Sequence, residues 1–150
     1  MNLKERIRAE GKALGFTRIG FAAAGVRPES RLLLEWLGRG HAGEMGHLHL
    51  RLSERSDPRV LAPWARSLVV ASLPYANSSP LPPGSAGISR YARGRDYHLV
   101  LRKRLEILGR VVEDAVPGTR VRPVVDTGAI LEKPWGAAAG LGWQGKHTLL

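Results

Sequence analysis

Leu3, Ile7 and Leu14 recur at helical spacing on one face ahead of Gly15, which predicts an amphipathic helix over residues 2–14. Phe16-Thr-Arg-Ile-Gly-Phe21 then reads as a short strand. A second helix is predicted from Pro28 to Leu37, opened by a proline in its first turn and closed by Gly38. The glycine- and histidine-rich stretch from Gly38 to His49 reads as loop or broken helix. Ser67-Leu-Val-Val-Ala-Ser-Leu73 is a continuous apolar run, as expected of a strand buried on both faces. Residues 74–87 hold four prolines, two glycines and three serines, a loop composition.

The clearest helix follows. Asp96 is a good N-cap, and Tyr97, Leu101, Leu105, Leu108, Val112 and Ala115 form one apolar stripe that ends before Pro117-Gly118. Thr119 to Val125 is predicted as a strand, with Pro123 placing it at an edge or at a strand start. Ile130 to Ala139 is predicted as helix, stopped by Gly140. The order α, β, α, β, α, β, α implies an α/β or α+β fold, a layered sheet with flanking helices.

Composition narrows the function classes. A chain of 150 residues with 43% hydrophobic and 24% charged content is ordinary for one soluble domain. No apolar run reaches the roughly 20 residues that span a bilayer, and the start Met-Asn-Leu-Lys-Glu-Arg has no secretory core. The expected setting is cytoplasmic, with no membrane partner and a monomeric state. There is no cysteine, so thiolate metal sites, iron–sulfur ligation and cysteine nucleophiles are absent from these residues.

The formal charge of +10 at pH 7 points to an anionic partner. Arg90, Arg93, Arg95, Arg102, Lys103 and Arg104 face one acid, Asp96, within residues 86–104, and RNA is the natural candidate. An arginine-rich solvated surface would look the same, and no aromatic ladder is visible in the sequence.

The candidate chemistry lies in the last third. Asp126 follows Val124-Val125 at the expected carboxyl end of a strand, where a partly shielded carboxyl would favour its neutral form and suit proton donation. The alternative is an aspartate that only caps the next turn. Asp126-Thr-Gly128 also spells the core of an aspartic protease, but the chain has one such loop where two must share a proton, so that reading requires a dimer. Gly140-Leu-Gly-Trp-Gln-Gly-Lys-His-Thr148 offers backbone amides with Lys146 and His147 as an expected anion site, without the spacing of a nucleotide-hydrolysing loop. Ser89-Arg-Tyr-Ala-Arg-Gly-Arg-Asp-Tyr-His98 combines flat rings with basic charge, and His41, His47 and His49 lack the companions a metal site needs. No metal site is expected.

Four ordered motifs together resemble the N-terminal part of the epoxyqueuosine reductase family. They are Glu54-Arg-Ser-Asp-Pro58, Ile88 to His98, Val125-Asp-Thr-Gly-Ala-Ile-Leu-Glu-Lys-Pro134 and Ala139 to Thr148. The resemblance implies a nitroreductase-like cobalamin-binding domain, incomplete over residues 1–150, that takes part in reducing epoxyqueuosine to queuosine in tRNA. It implies that Asp126 is the proton donor, that Arg55 contacts cobalamin and that Ser89 faces the corrin ring. Asp96, Tyr97 and His98 would line the pocket, and Lys133, Gly142, Lys146, His147 and Leu150 would wrap the lower part of the cofactor. The family's two [4Fe-4S] clusters lie in a ferredoxin-like domain, followed by helical repeats that hold tRNA, and neither is present here. A fragment inactive alone is the expectation, with a non-enzymatic basic RNA-binding domain as the alternative.

Overall fold

Asn2 opens the first helix, α1 (Leu3–Ala13), through a reciprocal capping box: its side chain accepts from Glu5 N–H and its N–H donates to the Glu5 carboxylate, both at 2.9 Å. In the computed structural model, which describes residues 1–75 and 87–150, the chain continues through β1 (Arg18–Ala23) and α2 (Pro28–Gly38). Two short helices follow, α3 (Leu52–Ser56) and α4 (Pro58–Leu61), then β2 (Ser67–Ser72), the long helix α5 (Tyr97–Ala115) and α6 (Glu132–Ala138). The mixed α and β class stands as expected. Apart from its ends, the loop read over residues 74–87 lies outside the described residues.

Among the described residues the sheet has two strands, β1 and β2. Thr17 N–H donates to Ser72 O at one end and Ala24 N–H to Arg66 O at the other, so the pair is antiparallel. Two expectations change here. β2 is not buried on both faces, since Val69 is 39% exposed and alternates with half-buried Leu68 and Val70. Thr119–Val125 is not a strand among the described residues. Pro123 has no N–H, and the Val121 N–H is taken by the Glu113 carboxylate at 3.1 Å, so two of the donors that a ladder needs are missing.

The chain divides into two compact units, residues 1–18 with 72–125, and residues 19–71 with 126–150. In the first, α1 packs on α5, with Ile7, Phe16 and Leu108 buried. The apolar stripe predicted for α5 is the face turned inward, and Asp96 caps it by accepting His98 N–H at 2.9 Å. In the second, Leu37, Ala42, Ala62, Ala129, Trp135 and Leu141 are buried. The hydroxyl of buried Ser30, on α2, donates to Ser56 O at 3.1 Å, tying α2 to the end of α3. No described helix is long and apolar enough to cross a membrane.

Two tests follow from this packing. A Cβ at Gly20 would lie 2.0 Å from Ala139 O, whereas one at Gly25 meets nothing within 4 Å. Gly20→Ala is therefore expected to destabilise by about 3 kcal/mol or more, with Gly25→Ala near neutral, in denaturant unfolding. The second concerns α5. Hydrogen bonds from the His98 ring and backbone hold the Asp96 carboxyl below its ordinary value of 3.8. A depressed folded value stabilises at higher pH, and that contribution is lost as pH falls through it. Asp96→Asn keeps a capping oxygen but cannot titrate. The wild-type thermal midpoint should therefore fall more steeply than the variant's below about pH 4; parallel curves would refute the linkage.

Candidate functional site

Asp126 ends the extended segment and begins the turn into α6. Its φ is +44°, in the left-handed region, which costs a non-glycine residue roughly 1–2 kcal/mol and which aspartate tolerates better than most. Its N–H donates to the Glu132 carboxylate at 2.8 Å, and Ile130 N–H closes the turn on Gly128 O at 2.8 Å. Just beyond, Ala129 and Trp135 are buried at 1% and 3% exposure, so the turn is rooted in the core at its far side. Asp126 itself is exposed. This overturns the expectation of a shielded carboxyl, because the strand whose end was to cover it does not form in the described residues. Asp126-Thr-Gly128 is followed by helix rather than strand, unlike the all-strand proteases that share those letters.

The same unit carries the second group of expected residues. Lys133 sits exposed in the first turn of α6, and Lys146 and His147 are exposed in the loop beyond it. Gly140 stops α6 with φ +76°, as the sequence predicted. Of the amides expected to form a backbone anion site, several serve the loop itself. Gly145 N–H donates to Leu149 O and Thr148 N–H to Gly145 O, each at 2.9 Å, and Leu149 N–H donates to His147 Nδ1 at 3.1 Å. A ring accepting at Nδ1 carries its proton on Nε2. Leu150 lies over Gly136 and near Gly142; a Cβ at Gly136 would fall 2.4 Å from the leucine side chain.

Arg55, half-buried on α3, has Nε 3.4 Å from Leu50 O. Its neighbours are structural. Asp57 caps α4 and is held below its ordinary value by hydrogen bonds from the Arg59 side chain, at 2.7 Å, and backbone. Glu54 is lowered by its own backbone N–H and by the Arg51 side chain.

In the first unit, Ser89 is exposed ahead of a single 3₁₀ turn, Arg90–Ala92, and its side chain does not cap it. The Arg93 guanidinium donates to Ile88 O at 2.7 and 2.9 Å, folding this basic stretch back on itself. Asp96 accepts from His98 Nδ1 at 2.7 Å, which fixes the ring tautomer and orientation. Tyr97 stacks on His98 with ring centroids 4.0 Å apart. Tyr91 meets Tyr97 edge-on at 5.9 Å, and Tyr75 meets Tyr91 at 6.4 Å. An aromatic run thus exists where the sequence showed no ladder: Tyr91, Tyr97 and His98 are uneven in spacing within one motif, and Tyr75 joins them from another segment. Sequence reading also missed Glu132; an acid opening α6 six residues after Asp126 was the available signal. Among the described residues no three His, Asp or Glu side chains cluster as metal ligands.

Comparison with known proteins gives this arrangement a setting. A family profile described as "Epoxyqueuosine reductase QueG, DUF1730" matches residues 55–127. The epoxyqueuosine reductase of Gloeobacter violaceus is 43% identical over 148 residues, which are 97% of this chain and 46% of that protein. The structure of epoxyqueuosine reductase from Streptococcus thermophilus superposes with a TM-score of 0.88 at 28% identity, over all of this chain and 42% of that one. A crystal structure of an epoxyqueuosine reductase with an epoxyqueuosine-modified tRNA-Tyr stem loop gives 0.84 at 28% identity, over 99% of this chain and 40% of that one. The chain is thus similar over nearly its whole length to epoxyqueuosine reductases, and it spans about half the length of the curated relatives it matches.

Proposed function

We propose that this chain holds cobalamin and carries the proton donor for the reduction of epoxyqueuosine to queuosine in tRNA. One observation above others supports the reading: in a chain with this kinship, Asp126 is exposed on a turn that holds it at φ +44° and is rooted by buried Ala129 and Trp135. Strain kept at an exposed acid is characteristic of functional turns.

The donor set fits a corrinoid. The rim of that ring carries amide side chains and a phosphate, both acceptors, and Lys133, Lys146 and His147 Nε2–H are exposed donors in one unit. Arg55 is assigned a cofactor contact, Ser89 a position against the corrin face, and Gly142 and Leu150 apolar or backbone contact with the lower part of the cofactor. Asp96, Tyr97 and His98 are assigned to the substrate pocket, where the Asp96 carboxylate fixes the imidazole and Tyr97 stacks on it.

Bound and reduced, cobalamin supplies the electrons. Loss of the epoxide oxygen as water takes two electrons and two protons, leaving the alkene. Asp126 delivers one proton to the epoxide oxygen as a C–O bond breaks. The family's two [4Fe-4S] clusters require thiolates, and this chain has no cysteine, so electrons must come from elsewhere.

The tyrosine run favours a second reading, in which a basic domain contacts RNA without catalysis. Tyr75, Tyr91 and Tyr97 provide stacking faces beside exposed Arg90 and Arg95.

Titration of the purified chain with cobalamin, followed in the visible spectrum, should show saturable binding, weakened roughly tenfold by Lys146→Ala through loss of one charge-assisted contact. A folded chain that binds RNA in a salt-dependent way but ignores cobalamin would establish the second reading instead. With chemically reduced cobalamin replacing the clusters, single-turnover reduction of an epoxyqueuosine-modified stem loop should fall at least 10²-fold in Asp126→Asn. Cobalamin affinity should change little in that variant, and undiminished turnover would remove Asp126 from the mechanism.

A further inference from the structure

The Asp126 turn has two differently held sides. Toward α6 it is rooted by Ala129 and Trp135, which are almost inaccessible, and by the Trp135 N–H bond to Leu131 O at 3.2 Å. Toward the extended segment, Asp126 and Thr127 are exposed, and Asp126 has a backbone conformation that a non-glycine residue does not choose unaided. Between these sides stands Glu132. Its Oε1 accepts the Asp126 N–H at 2.8 Å across six residues of chain, although Glu132 itself is exposed and packs into no core.

We propose that Glu132 is a positioning residue for Asp126. Its carboxylate holds the Asp126 backbone in the left-handed conformation and thereby sets the direction in which the Asp126 carboxyl is presented. The proposal rests on the reading of Asp126 as proton donor. A charged acceptor binds a backbone N–H more strongly than a neutral one, and a bond to the backbone constrains φ directly. Rotating Asp126 out of the left-handed region would carry its N–H away from Glu132 and swing its Cβ with it. Because α6 is anchored independently, loss of this tether should loosen the turn without unfolding the helix.

The test uses the 15N-labelled chain. Glu132→Ala should speed hydrogen exchange of the Asp126 amide about tenfold, the scale expected for one lost hydrogen bond. The amides of Trp135 and Leu141, bonded to Leu131 O and Gly136 O, should keep their rates and report that α6 is intact. Glu132→Gln retains an acceptor oxygen and should restore most of the protection. In single turnover with chemically reduced cobalamin, Glu132→Ala should lower the rate constant at saturating stem loop at least fivefold, with cobalamin affinity and stem-loop KM unchanged. Glu132→Gln should recover most of that rate.

Unchanged exchange at Asp126 in Glu132→Ala would overturn the proposal, as would faster exchange with full turnover. Undiminished turnover in Asp126→Asn would instead strike the proton-donor reading beneath it. In that case the exchange data would still show whether the tether exists.

Discussion

The approach of β1 to the end of α6 is the constraint on which the second unit depends. Gly20 is buried in β1, and a Cβ there would fall 2.0 Å from Ala139 O, well inside any real contact. The backbones meet because one side chain is missing. That contact seats α6, and Trp135 completes the seating on the helix's inner face, with the Arg27 guanidinium 5.7 Å over its ring. Both candidate segments of this unit then extend from the ends of α6. The Asp126 turn enters it and the glycine-rich loop leaves it, so seven helical residues fix the origin of both.

The first unit solves a different problem, which is how to present polar rings from the end of a helix. The apolar stripe of α5 commits that helix to α1, and Gly109 allows Val121 to approach to 3.1 Å of the space a Cβ would occupy. With the helix fixed, its N-terminus defines where Asp96, Tyr97 and His98 stand. Asp96 does two things there: it satisfies an orphan N–H of the helix and orients the imidazole. A cap and a catalytic orienter are often set against each other as explanations. Here one carboxylate has both sets of bonds.

What could be read from sequence was what is encoded locally. The Asp96 cap, the α5 stripe, Pro28 at the start of α2 and the Gly15 and Gly140 stops each act within a turn or two of chain, and each element formed near its predicted limits. The errors were non-local. Strand status for Thr119–Val125 depended on a ladder, and two of its donors turned out to be absent, at Pro123, or taken by Glu113, at Val121. Likewise, the bonds of the Gly145 and Leu149 amides to Leu149 O and the His147 ring were not legible beforehand. Asp126 was found by motif, but its exposure and left-handed backbone could not be, because no hydrophobic period distinguishes an aspartate at φ +44° from one in a strand.

The charge of the chain also looks different once its acids are located. Glu5 completes a cap, Glu113 and Glu132 accept backbone N–H groups, and Asp57 and Asp96 cap helices. Glu29, Glu35, Glu54 and Glu106 each pair with an arginine near them in sequence. Nine of the thirteen acids are thus engaged locally, and several are tied to backbone rather than to the arginine excess. Exposed pairs of this kind add little stability. Their consequence is electrostatic: acids held on caps and neighbours are not placed to neutralise Arg90, Arg95 and Lys103, which remain exposed on one stretch of the first unit. Residues 86–104 carry six of the bases against one acid where the tyrosine run lies, so a phosphate backbone drawn to that charge would meet stacking faces beside it.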